Sequence, residues 1–574
     1  MRYSSARDIT VIMAVDVVSG RRDAIEQRWG RWRPRSLAGM FDEVAGADPT
    51  RPYVIADAGT YSYGDVRDWS MSLARGLIGL GVAPGESVAL LIDNRAEMVA
   101  AKLAVARIGA VAVPLNFSYR GDELAVALAH SGAVLLVTIA QSMATDFLAA
   151  LDRIAPGWEH GVRSDQVPAL RHVVLVDGER SDALTLSGLA DRGGSVTADD
   201  VVARTAAVDP DAVCDIVFTS GTSGHPLAAE LTHDMVLRSA YGSAYHRAFD
   251  DGWRVCFSLP MYHVFGYIEG LLASMVVGGA VIPRQVFNPA TLLAAVAEHR
   301  ASEVLFVPTM SVAAVEQAAK VSYDLSSLES VFSAAAPAPV WLWERVQERL
   351  APRIVFTGYG QTEVSAATTL TLPGDPLEVV SETVGTCKLG GSAATDGMDG
   401  LLAAYQAVDP FTEEALPAGS EGELAVTGPI VTRAYHADPD QTARSIVDGW
   451  LRTGDLGVVG TDGYLRLTGR AKELFKVGGE LVAPKEVEDL LTGVPGVAQA
   501  FVAGVPDDRY GEVGWAWVVP DGSVSLDVTA LARHCREHLA PFKVPRAFRL
   551  IGADDLPKTT TGKVQKYRLV ESAG

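Results

Sequence analysis

The chain has 574 residues, 48% of them hydrophobic, and its 49 Lys+Arg against 70 Asp+Glu give a net charge of −21. That length exceeds one ordinary hydrophobic core and predicts two or more domains. The apolar content excludes disorder as the main state, and the negative balance opposes non-specific binding to nucleic acid or anionic lipid.

The four cysteines, Cys214, Cys256, Cys387 and Cys535, form no C-x-x-C pair. A zinc site of the usual spacing is therefore not expected, and a reducing compartment is. The apolar stretch at 12–18 is broken by Asp16 and lacks the pattern of a secretion signal. No run of about 18 uncharged apolar residues follows; the most apolar region, 255–283, contains His263 and Glu269. The expectation is a cytoplasmic protein with no integral membrane segment.

In chain order, residues 88–92 read as a buried strand, 96–108 as a helix and 111–115 as a strand. A second helix at 123–130 and a strand at 134–137 continue the rhythm. Strands recur at 216–218, 255–259, 304–307 and 354–356. This alternation predicts an α/β fold of parallel sheets flanked by helices. Past residue 400, short segments such as 422–427 and 464–467, separated by Gly, Asp and Pro, predict a compact, barrel-like β region. The final hundred or so residues read as a small α+β module. We expect an N-terminal domain over 1–471 and a mobile C-terminal domain over 472–574.

Two segments carry recognisable chemistry. Thr219, Ser220, Gly221, Thr222, Ser223 and Gly224 follow an apolar strand and precede a helical segment. Glycines let backbone N–H groups converge on an anion, and the hydroxyls add donors, so the segment suits phosphate; a flexible linker has the same composition. Gly358, Tyr359, Gly360, Gln361, Thr362 and Glu363 again follow a strand. Open α/β sheets bind ligands at strand carboxyl ends. Tyr359 offers a face for a base, Thr362 a hydroxyl and Glu363 a hard oxygen for Mg²⁺; an ordinary turn would read the same.

These segments resemble the phosphate loop and Y-G-x-T-E motif of the adenylate-forming superfamily, which comprises acyl-CoA synthetases, peptide-synthetase adenylation domains and firefly-type luciferases. Further motifs follow in the family order: Leu259 to Gly266, Ser333 to Pro337, Thr453-Gly454-Asp455, Gly469 to Glu473, and Pro557 to Lys563. The resemblance covers about residues 53–569. It implies a two-step reaction using ATP, Mg²⁺ and coenzyme A: a carboxylic acid attacks the α-phosphate, and a thiol then displaces AMP. It further implies that Lys563 meets the carboxylate and α-phosphate, Glu363 holds Mg²⁺ beside Thr362, Asp455 and Arg470 meet the ribose or phosphate, and Ala335, Ala336 and Pro337 border adenine. His263, Val307, Met310, Ala334 and Val364 would form the acyl pocket. Lys472 would be the hinge about which the C-terminal domain turns, and Lys476, Gly478 and Gly479 would line the coenzyme A tunnel.

The sequence departs from the family where Leu227 and Ala228 follow Pro226, in place of Lys-Gly, and where Ala334 and Ala434 replace common glycines. The expected activity is an acid–CoA ligase acting on a fatty or aryl acid. Loading of a carrier protein, and a slow or inactive nucleotide-binding homologue lacking the loop cation, are the alternatives. A P-loop kinase is excluded because the G-K-[ST] ending is absent.

Overall fold

The computed structural model describes residues 6–119, 121–142, 145–161, 164–219, 227–410, 412–470, 473–477, 480–507, 509–558 and 564–572, with 6–16, 476, 480 and 481 described by backbone alone. Contacts divide the chain into two compact units, Met1–Ala404 with Thr427–Gly449, and Tyr405–Val426 with Trp450–Gly574. The second unit takes in the β region as well as the final module.

The first unit contains two seven-stranded sheets. One runs Ala228–Thr232, Val213–Phe218, Val111–Pro114, Ser87–Leu91, Leu135–Thr138, His172–Leu175 and Leu184–Thr185. All its pairings are parallel except the first, an antiparallel edge. Its central strands are buried on both faces, which is why they read as unbroken apolar runs. Asp215 interrupts one such run and is neutralised by an ion pair with Lys102, from the helix Ala96–Arg107.

The second sheet runs Ile354–Phe356, Ser330–Ser333, Glu303–Phe306, Arg254–Phe257, Ala280–Pro283, Pro52–Ala56 and Gly59–Ser62, parallel up to the terminal hairpin. Its register, with Phe257 beside Leu305, Leu305 beside Phe332 and Phe332 beside Phe356, aligns four carboxyl ends along one edge. Every chemistry-bearing segment between 259 and 363 leaves from that edge. The long helix His233–His246 is buried almost all round and starts with a capping box at Thr232.

In the second unit, Ala404–Val408, Glu421–Thr427, Trp450–Val459 and Leu465–Arg470 form neighbouring strands, as the Gly-rich texture predicts. The final module has Val497–Asp507 and Gly511–Pro520 as a long hairpin, joined by Phe475–Val477, Glu480–Val482 and Ala547–Leu550. The helices Pro484–Thr492 and Val528–His538 bury Val487, Leu491, Leu531 and Cys535 against this sheet in one apolar cluster. All four cysteines are free thiols. Among the described residues, no helix is long and apolar enough to cross a membrane.

Candidate active site

Four strand ends build the site of the first unit. After Arg254–Phe257 the chain turns through Leu259-Pro260-Met261, where Asn94 fixes it by donating to the Leu259 carbonyl at 2.9 Å and accepting from the Met261 N–H at 2.8 Å. His263 follows. Its Nδ1 accepts the Phe265 N–H at 3.2 Å, so the neutral ring carries its proton on Nε2. Burial lowers its pKa to about 4; at neutral pH it is an uncharged imidazole, not a cation for phosphate. A wide π-type helical stretch, Phe265–Leu272, comes next, a local geometry frequent at functional sites.

After Glu303–Phe306, Val307 is buried and Met310 half-buried, on the first turn of the helix Pro308–Lys320. After Ser330–Ser333, Ala334 is buried while Ala335, Ala336 and Pro337 are exposed. Phe265 and Phe332 meet edge-to-face with centroids 5.1 Å apart. An apolar wall with a neutral His at its end suits an apolar group joined to a polar head.

After Ile354–Phe356, the strand Gly358–Gln361 pairs antiparallel with Ala366–Leu370. Both glycines are required by close backbone approach. A Cβ on Gly360 would lie 1.8 Å from the Ala366 carbonyl oxygen, and one on Gly358 2.5 Å from that of Thr369. Thr362–Val364 forms a single 3₁₀ turn, closed by Ser365 and Ala366 at φ +53° and +79°. Glu363 stands half-buried on this turn, and its Oε1 accepts from the Tyr435 hydroxyl at 3.1 Å. Burial and the Glu363 charge push the Tyr435 phenol well up, so it stays a donor. Tyr435 belongs to a segment that runs against the strand Ala228–Thr232, with His436 N–H to the Ala228 carbonyl at 2.7 Å and Glu230 N–H to that of Ala434 at 3.1 Å. The strand before the phosphate segment ends in a Thr219 N–H to Leu227 carbonyl bond of 2.7 Å.

Beneath this hairpin lies a buried knot of four charges. Glu269, on the π-type stretch, accepts from the Lys388 ammonium at 3.0 Å, from Arg247 at 3.2 Å and from the Ala367 N–H at 3.1 Å. Arg247 also meets Glu303 at 2.5 Å, and Ser239 and Ser243 complete the shell of Lys388 at 3.1 and 2.9 Å. Two cations face two carboxyl groups. The burial that opposes ionisation of Glu269 is outweighed by Lys388 and Arg247, whereas Glu303 is pushed up to about 7 by burial.

In the second unit, Asp455 and Arg470 are directly opposite on paired strands. Arg470 Nε meets Asp455 Oδ1 at 2.9 Å, and the Asp455 side chain is 6% exposed. Within the same strand, just before it, Gly454 takes φ +73° and Thr453 donates to the Leu424 carbonyl at 2.8 Å.

The structure therefore places His263, Val307, Met310, Ala334, Ala335, Ala336 and Pro337 after the carboxyl ends of one sheet and Gly358 to Gln361, Thr362, Glu363 and Val364 on the hairpin and turn that follow its last strand, and pairs Asp455 with Arg470 in the other unit. Ser220, Gly221, Thr222, Ser223, Gly224, Lys472, Gly478, Gly479 and Lys563 lie outside the described residues, and Lys476 is described by backbone alone. Sequence reasoning missed Tyr435 as the partner of Glu363, and Glu269, Lys388 and Arg247 as the support beneath it. A buried charge inside the apolar region 255–283 was the one available signal.

This edge of parallel strand ends, with its apolar wall and tyrosine-held carboxylate, is the candidate site of an α/β protein. The chain belongs to the AMP-binding enzyme family: the family model of that description matches residues 41–436, and that of the AMP-binding enzyme C-terminal domain matches 486–563. It is 36% identical over 539 residues to a 3-[(3aS,4S,7aS)-7a-methyl-1,5-dioxo-octahydro-1H-inden-4-yl]propanoyl:CoA ligase of Mycobacterium tuberculosis, covering 94% of this chain and 99% of that protein. It is 32% identical over 497 residues to a feruloyl-CoA synthase of an Amycolatopsis species, covering 86% and 90%. The crystal structure of ATP-bound MatB from Rhodopseudomonas palustris superposes with a TM-score of 0.78 at 26% identity, covering 93% of this chain and 98% of that one. The protein is an ATP-dependent carboxylic acid–CoA ligase that acts through an acyl-adenylate and releases AMP and pyrophosphate.

Proposed function

We propose that the acid is apolar, fatty or aryl, and that it lies against Val307, Met310, Ala334 and Val364 with its carboxylate near His263. The observation that supports this is the buried wall at the strand ends, flanked by the Phe265–Phe332 ring pair. Two curated relatives are named for ring-bearing acids, which agrees with it. A carboxylate has to approach a polyanion, so step one needs cations and donors placed in advance. Lys563 supplies the cation to the carboxylate and α-phosphate. The Thr219–Gly224 segment supplies N–H and hydroxyl donors, with Ala335 to Pro337 and Tyr359 beside the base. Asp455 accepts from the ribose hydroxyls, its orientation held by Arg470.

Glu363 suits Mg²⁺: it is a hard oxygen donor whose carboxylate is oriented by the Tyr435 hydroxyl, as outer partners orient metal ligands. The ion, when bound, offsets charge on the phosphates. In step two the C-terminal domain, 472–574, turns about Lys472, Lys563 withdraws, and the thiol of coenzyme A enters past Lys476, Gly478 and Gly479. Free thiols at all four cysteines support a cytoplasmic setting.

The test is a panel of linear fatty acids, cinnamic-type acids and ring-bearing propanoates, scored by AMP release with coenzyme A. We expect the highest kcat/KM within these classes. A higher value for an amino acid or a dicarboxylate would reject the assignment.

A further inference from the structure

The segments on either side of 559–563 are tied down. The Gln565 N–H donates to the Pro557 carbonyl at 2.8 Å, and Lys558 and Val564 form an antiparallel bridge. The helix Lys566–Glu571 starts immediately afterwards and buries Leu569 with Trp517, Val519 and Leu556. Its first residue, Lys566, stands three positions after Lys563. The Lys566 ammonium meets Glu473 at 2.5 Å and Glu488 at 2.7 Å. Glu473 stands one position after Lys472. Glu488, on the helix Pro484–Thr492, uses the same oxygen to accept the Val502 N–H at 2.7 Å, which fixes it to the central hairpin. The Lys566 and Glu488 side chains are 19% and 13% exposed. Burial opposes the Lys566 charge, but the two carboxylates outweigh it and raise its pKa.

We propose that Lys566 is a positioning residue: by bridging Glu473 and Glu488 it holds the stretch that follows Lys563 in fixed register with the stretch that follows Lys472, and so sets where the Lys563 ammonium arrives during adenylation. The inference rests on the roles assigned above to Lys563 and Lys472. A purely structural bridge is the simpler account, but the apolar contacts of Leu569 already anchor this helix, and ion pairs removed from water contribute little net stability. What the ammonium adds is geometry, since it joins two carboxylates on separate segments that flank the functional positions.

The experiment separates the two half-reactions in the full-length enzyme. ATP–pyrophosphate exchange reports adenylation, and thioester formation from supplied acyl-AMP reports the second step. Lys566→Met is expected to lower exchange kcat on the order of 100-fold, as small misplacements of a reacting group do. The KM for ATP and the second half-reaction should change less than about threefold. Lys566→Arg, which keeps both pairings, should retain exchange within about threefold of the parent. Glu473→Gln, at the more exposed partner, should show a smaller loss of the same kind, and adding it to Lys566→Met should cost nothing further.

If Lys566→Met does not fold, Glu473→Gln carries the same comparison. Equal losses in both half-reactions, or a folded Lys566→Met or Glu473→Gln with unchanged exchange, would overturn the proposal. Lys563→Ala is the control. If it retains exchange, the role of Lys563 itself fails. If it abolishes exchange while the Lys566 and Glu473 variants do not, only the positioning role fails.

Discussion

Ala335 holds a φ of +74°, a left-handed backbone that costs an L-residue with a Cβ roughly 1–2 kcal/mol. It stands in the exposed Ala335-Ala336-Pro337 segment that follows the strand Ser330–Ser333. The sequence pointed to the neighbouring Ala334 as the departure from a common glycine, yet the strain falls on Ala335. Ala335→Gly should therefore raise the unfolding free energy of the first unit by about 1 kcal/mol, read as a higher urea midpoint with an unchanged slope. Leu227 poses the opposite problem: an apolar side chain where the family resemblance leads one to expect a cation for the outer phosphates. Its carbonyl already closes the antiparallel pair by accepting from Thr219, a backbone role that any side chain permits. Leu227→Lys should consequently fold normally and raise ATP–pyrophosphate exchange about tenfold, in line with one added charge-assisted contact. An unchanged rate would mean that another cation already serves those phosphates.

At the scale of elements, the knot of Arg247, Glu269, Glu303 and Lys388 joins the end of a long helix, the π-type stretch after His263, a central strand and the segment beyond Cys387. Glu269 fixes the backbone of Ala367, two residues after the left-handed turn at Ser365 that closes the 3₁₀ turn of Glu363. Lys388→Met should remove about 3–5 kcal/mol, because a buried carboxylate is left uncompensated; equilibrium denaturation at pH 7.5 measures it. Of this, only Glu269 left a signal in the sequence, as a charge inside the apolar region 255–283; the other three read as scattered surface charges. The strands were legible, because burial on both faces leaves unbroken β-branched and aliphatic runs such as Ser87–Leu91 and Leu135–Thr138. The motif residues were legible too, since Gly358 and Gly360 answer to backbone clashes that no other residue relieves. Tyr435 was not, because its partner Glu363 lies 72 positions away and only the fold brings them together.

For the whole molecule, the neutral histidines His233 and His246, which are buried, and His263, which is half-buried, shape how stability responds to acid. Burial lowers His233 and His263 to about 4 and His246 to about 3, from an ordinary 6.5. Below 6.5 the unfolded chain binds protons at these rings and the folded chain does not. Stability is therefore full above that value and falls as pH descends toward 4, by roughly 3 kcal/mol for a ring such as His263. Glu303, raised to about 7, and Glu488, also raised by burial, act in the opposite sense, while His172, lowered by burial, adds to the three rings. Urea midpoints at pH 7.5, 6.0 and 5.0 should decline steadily, beginning well above the range in which ordinary carboxylates titrate. A flat profile down to pH 5 would show that these rings are solvated in the native state.

The alignment of four strand ends on one sheet edge bears on how such an enzyme diversifies. Val307 and Ala334 each stand immediately past the end of a parallel strand of that sheet, and Val364 stands on the 3₁₀ turn that follows the next strand's hairpin. On the acid site proposed above, a lineage can trade one of these three side chains at a time and inherit a new diet without re-founding the scaffold.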